Sequence, residues 1–201
     1  MLHGKPRLNR SQLAGLLVAF FLITQIIDIV LTCTYSPDLG REANVLVRHA
    51  GFGWREIIVG HAMGSCLIIW MTVIWSRGPL GRADHETDFW AFASVSYHAQ
   101  RQAPAKFLLL HLFAMPKVKR DMVHLLGFVT PCVIGCTSLM SSMNWLLLYG
   151  GDFPRFRHFF ATVAPWYPYV IPVALFYFAS MLMYFSYEWS SAKCRRAGLF
   201  A

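Results

Sequence analysis

Apolar residues gather into four runs, about 11–34, 55–76, 121–149 and 167–189. Each is long enough to cross a hydrocarbon core of ~30 Å, which takes about 20 helical residues. Between the second and third runs lies the longest polar stretch, 77–120, which carries Arg77, Arg82, Arg101, Lys106, Lys117, Lys119 and Arg120. Two apolar segments inside it, Phe89–Gln100 and Ala103–Met115, are too short to span and are expected as helices lying on the membrane surface. The pattern predicts an all-α integral membrane protein. It would form a single membrane domain over 1–201, with four transmembrane helices and two short cytoplasmic interfacial helices.

The polar positions within the runs are not scattered. In the first run Gln25, Asp28 and Thr32 follow at spacings of three and four, which puts them on one helix face. The link Tyr35–Gly40 stops that helix with Pro37 and Gly40. The second run holds Gly60 and Gly64, a small-x-x-x-small pair that would let another helix approach closely, with His61 and Ser65 beside it. The third carries His124, Pro131, Gly135, Ser138 and Ser142 on one face, a narrow seam for packing. The third run exceeds the length needed, and Pro131 lies inside it. Aromatic residues at Arg155–Pro168 suit a membrane–water interface.

Composition agrees with this reading: 56% of residues are hydrophobic and 14% charged, against roughly 25% charged in soluble domains. A net charge of +8 would raise the question of nucleic acid in a soluble protein. Here no basic run interleaved with aromatics makes such a face, and the positive-inside rule accounts for the charge. Of the 18 Lys and Arg, only Arg41, Arg48, Arg55, Arg155 and Arg157 fall on the far side if the N-terminus is cytoplasmic. Both termini and 77–120 are therefore expected inside a bacterial-type inner membrane. The first run is too long for a signal-peptide core and reads as an uncleaved span. The five cysteines lack metal or redox spacing; Cys132 and Cys136 stand one helical turn apart, and the thiols read as small buried hydrophobes.

Candidate chemistry centres on the first hairpin. Asp28 lies about six residues before its helix ends outside, and His61 about six after the next begins. At ~1.5 Å per residue both sit ~9 Å below the outer boundary, so contact between them is expected. Glu42, Asn44 and His49 in the link would fold over the pair. Three readings compete. Asp28 is satisfied by His61, Asn44 or link amides and locks the hairpin, since buried charges persist when paired. Or Asp28, Glu42 and His61 bind a divalent metal, with zinc, iron and manganese suited to such ligands. Or Asp28 and His61 form a proton-handling dyad. A structural polar centre of Gln25, Asp28, Thr32, Asn44 and His61 is common to all three.

Other signals are weaker. Haem held by two histidines conflicts with depth, because His61 falls in the outer leaflet and His124 in the inner; His98, His111 and His158 lie outside the spans. His85-Glu86-Thr87-Asp88 has acid–base residue types but reads as a solvated loop. Neither a phosphate loop nor a nucleophile elbow is present. Internal repeats of the transporter kind are not evident.

The order Asp28-x-x-x-Thr32, then Gly40, then Glu42-Ala43-Asn44, then a glycine-bearing turn and a second helix resembles a family of small bacterial and archaeal membrane proteins of unknown function. That family shows Asp-x-x-x-Thr in its first helix and Glu-x-Asn-Pro in the link, with a buried basic residue in the second helix, a role His61 would take. The likeness covers about 15–76, and Val45 stands where the pattern has proline. It implies a polar hairpin core and no particular activity. The expectation is a non-enzymatic accessory, assembly or interaction subunit, partnered by lipid and other membrane subunits and not by nucleic acid. The alternatives are a small metal-dependent membrane enzyme and a haem-binding electron-transfer subunit.

Overall fold

The computed structural model describes residues 8–39, 51–78, 83–98, 100–111, 119–155, 158 and 167–198. Among these the chain is all helical: α1 (Arg10–Tyr35), α2 (Trp54–Ser76), α3 (Phe89–His98), α4 (Pro104–His111), α5 (Lys119–Tyr149) and α6 (Tyr167–Arg196). Four stretches, Arg10–Tyr35, Trp54–Ser76, Arg120–Tyr149 and Val170–Arg196, are long and apolar enough to cross a membrane. Within them, half of the apolar stretch of α5 is buried by protein, against 22% or less in the other three. The expected seam explains this: His124, Pro131, Gly135, Ser138 and Ser142 are all buried.

The chain divides into two compact units. The first comprises Met1–Leu16, Trp70–Val129 and Ala179–Ala201; the second comprises Leu17–Ile69 and Thr130–Phe178. Each long helix contributes residues to both.

In the first unit the core is aromatic. Trp75, Tyr184, Phe107 and Phe185 are almost fully buried. Trp75 meets Phe128 edge-on at 5.0 Å between ring centres, and Phe107 meets Phe185 at 5.8 Å. Such pairs add to burial through the ring quadrupoles. The backbones of α2 and α5 come close enough that a Cβ on Gly127 would lie 2.3 Å from the Met71 carbonyl oxygen. Thr72 Oγ1 donates to the Gly127 carbonyl at 2.7 Å in the same contact. Only glycine allows this approach.

Both expected short helices are present within the expected bounds. α3 starts on Asp88, whose side chain accepts the Ala91 N–H at 2.8 Å as an N-cap. Its residues Phe92, Ala93, Ser94, Ser96, Tyr97 and His98 are buried. Phe92 packs on Trp189 of α6 at 5.4 Å, and Tyr97 on Phe185 at 6.5 Å. Phe92 and Tyr97 of α3 and Phe107 of α4 thus pack on α6. At 10 and 8 residues both are too short to span.

In the second unit, α1 ends in a turn where the Leu39 N–H reaches the Ser36 carbonyl at 2.9 Å. Leu39 takes φ 59°, a left-handed conformation uncommon outside glycine. Trp54 Nε1 donates to the Pro37 carbonyl at 2.6 Å, tying that turn to the start of α2. The other end of α5 is fixed to α1 by rings: Tyr35 stacks on Trp145 at 6.3 Å and on Tyr149 at 5.9 Å. A Cβ on Gly135 would meet the Phe20 ring at 2.5 Å, so Gly135 is the close-approach residue here.

Candidate functional site

Among the described residues, the expected close approach at Gly60 and Gly64 does not occur: none of their atoms lies within 4 Å of a Cβ built on either. Both instead line a cavity of about 600 Å³ in the second unit, walled by α1, α2, α5 and Val173 of α6. Ligand sites run ~300–1,000 Å³. Glycine at two successive turns of α2 removes the side chains that would otherwise fill this space.

Three polar groups from three helices meet at its wall. Gln25 of α1 is buried, and its Nε2 donates to Ser138 Oγ of α5. Its Oε1 lies 2.7 Å from His61 Nδ1 of α2. An amide oxygen only accepts, so in this arrangement Nδ1 carries the proton. In the neutral ring Nε2 is then an acceptor, and among the described residues it has no hydrogen-bond partner. Nearby hydroxyls are turned back into their own helices: Thr24 to Phe20 and Phe21 carbonyls, Thr137 to Val133, Ser142 to Ser138. They leave the Gln25–His61–Ser138 relay as the cross-helix polar contact of the cavity. Glu56 also lines it, in the first turn of α2, where Oε2 accepts the Gly53 N–H at 2.9 Å. A carboxylate there caps the helix and meets the positive end of its dipole.

Of the expected polar centre, then, Gln25 and His61 come together. Asp28 is half-buried one turn along α1, and the imidazole Nδ1 bonds Gln25. Thr32 is buried, with its carbonyl accepting the Ser36 N–H. Glu42, Asn44 and His49 lie outside the described residues. Among the described residues no three His, Cys, Asp or Glu side chains cluster as metal ligands. The expected set Asp28, Glu42 and His61 includes one residue beyond them.

The first unit holds polar groups of another kind, which the sequence reading passed over. Arg10 at the start of α1 forms an ion pair with Glu188 of α6, both largely buried. Trp75 Nε1 donates to the other Glu188 oxygen at 3.0 Å, and Arg10 also donates to the Trp75 and Gly78 carbonyls. Its guanidinium lies 5.7 Å from the ring centres of Trp75 and Tyr187. Arg195 clasps Asp84 with two bonds of 2.9 and 2.7 Å.

In the 85–88 segment His85, Thr87 and Asp88 are exposed, as expected of a solvated loop, but Glu86 is not. Glu86 is 3% exposed, takes two bonds from Arg101 at 3.0 and 2.7 Å, and offers its carbonyl to Arg196 at 2.6 Å. Arg101, first, and His85 hold the Glu86 carboxyl below the usual carboxylate range, against the opposing effect of burial. The signal that could have found Glu188 is the one that found Asp28: an ionisable group inside a membrane-length helix. Ser138 was visible as a seam residue but gave no sign of its amide partner.

Comparison with protein family models, characterised proteins and solved structures finds no match to this chain.

Proposed function

We propose that this chain is a multi-pass inner-membrane protein with both termini cytoplasmic, and that it works without catalysis, as an accessory subunit that holds a small apolar ligand in the cavity of its second unit. The uneven distribution of Lys and Arg supports the orientation. The family likeness of 15–76 fits the same place in the chain, since Gln25 and His61 fall within it.

One observation carries the binding role: a cavity of about 600 Å³ with apolar walls and a single convergent polar contact, Gln25–His61–Ser138. Apolar walls with a few placed polar groups are the common composition of small-molecule sites. Catalysis would need an activated nucleophile or a paired acid and base at the cavity wall, and the relay supplies neutral groups that orient.

The test uses the full chain in a non-ionic detergent and a neutral, environment-sensitive apolar fluorophore. Wild type is expected to bind it saturably. Gly64→Phe should fold with an unchanged helical spectrum and melting point, because its Cβ enters open space, and should lose the binding. Absence of saturable binding by wild type, or equal binding by a folded Gly64→Phe, overturns the proposal. Cysteines placed at Gln100 and Asp152 in a background lacking the native thiols report the orientation. Only the latter should label from outside.

A further inference from the structure

We infer that the cavity selects an amphipathic cation, an apolar chain ending in a primary ammonium; this rests on the ligand-binding reading above and names the ligand's chemistry. The walls set the apolar part: Phe21, Ile57, Ile68, Val133 and Ile134 face the space. Its polar end is set by what these walls offer.

Two acceptors stand open on α2. His61 Nδ1 is committed to Gln25 Oε1 at 2.7 Å. That amide is oriented by its own donation to Ser138 Oγ. The lone pair of the neutral ring therefore sits on Nε2, which has no hydrogen-bond partner among the described residues. Glu56 uses one carboxylate oxygen, Oε2, on the Gly53 N–H. Its other oxygen has no hydrogen-bond partner among the described residues.

Charge points the same way. Among the described residues lining the cavity, Glu56 is the only one that carries a full charge at neutral pH. The remaining polar groups are hydroxyls, the buried amide and the His61 ring. Hydroxyls both donate and accept, so they discriminate little. An anionic head group would meet a carboxylate with no cation beside it in this wall. An ammonium brings three donors to a wall that offers these acceptors, and the exposed Glu56 carboxylate supplies the opposite charge.

Competition against the apolar fluorophore tests this, with decylamine, decanol and decanoate as competitors of equal chain length at neutral pH. Decylamine should displace the probe from wild type at roughly tenfold lower concentration than decanol, a difference of one decade in affinity, and decanoate should be weakest. Glu56→Gln keeps an acceptor for the Gly53 N–H and removes the charge. It should bring decylamine to the level of decanol in the same variant. Detergent partitioning is the same for both proteins, so the ratio between them reports the site.

Decanoate equal to or better than decylamine overturns the inference, as does a decylamine preference that survives Glu56→Gln. Saturable probe binding with no head-group preference leaves the cavity reading standing and ends this one. No probe binding at all ends the cavity reading itself.

Discussion

The two units treat polar groups in opposite ways. In the first, charges meet across elements as ion pairs: Arg10 with Glu188, both largely buried, and Arg101 with Glu86 and Arg195 with Asp84, where at least one partner keeps some exposure. In the second, the cross-helix contact joins an amide, an imidazole and a hydroxyl, and it borders open space. A closed ion pair tolerates little change, because removing one member leaves the other charge uncompensated. A neutral relay beside a cavity keeps acceptors unspent. The first arrangement suits holding helices together, and the second suits receiving a ligand. Glycine follows the same division: Gly127 admits a backbone, and Gly60 and Gly64 meet nothing among the described residues.

The comparison breaks most sharply at Glu188. Glu188→Gln should lower stability by about 3–5 kcal/mol, the usual cost of stranding one member of a buried pair. Thermal unfolding in detergent reads this. Adding Arg10→Met should restore part of the loss, and simple additivity of the two changes would show that they are not coupled.

A smaller effect separates the glycines. Gly127→Ala drives a methyl into the Met71 carbonyl and should cost roughly 1–3 kcal/mol, as overpacking does. Gly64→Ala meets nothing and replaces a poor helix former, so it should be neutral or stabilising by up to ~1 kcal/mol. Equal melting points for the two variants would remove the distinction between a filled and an open face.

The smallest effect is a pH dependence. Glu86 is held below its ordinary value near 4.5 by Arg101. Its pairing therefore contributes fully above that ordinary value and is lost as pH falls through the lower, folded-state value. Melting points of wild type and Glu86→Gln should differ at neutral pH and converge in acid. A gap that stays constant into acid would mean that the carboxylate charge is not what matters.

Helix positions were legible because lipid-length apolar runs are hard to mistake. Three of the four expected spans agree with α1, α2 and α5 to within two residues at either end. The fourth was expected to stop near 189, yet α6 runs to Arg196. Hydropathy marks where apolar surface ends, not where a helix does, and Lys193, Arg195 and Arg196 favour its C-terminal dipole. The α5 seam was legible from its three-four spacing alone. Glu86 was not, since its partners Arg101 and Arg196 come from other elements and nothing local marks a loop acid as buried. The polar centre was legible in part. Gln25 and His61 stood out as polar groups in apolar helices, but that an amide would take the imidazole follows from side-chain reach across helices.

The Arg10–Glu188 pair also has a consequence in time. Its members are 178 residues apart, one opening the earliest long helix and the other near the close of the last. During synthesis Arg10 emerges long before its counterion. Until α6 is made, that guanidinium has the Trp75 and Gly78 carbonyls to donate to but no counterion. Completion of the first unit is therefore tied to arrival of the final helix, so an incomplete chain carries a cation without the counterion that a finished one supplies.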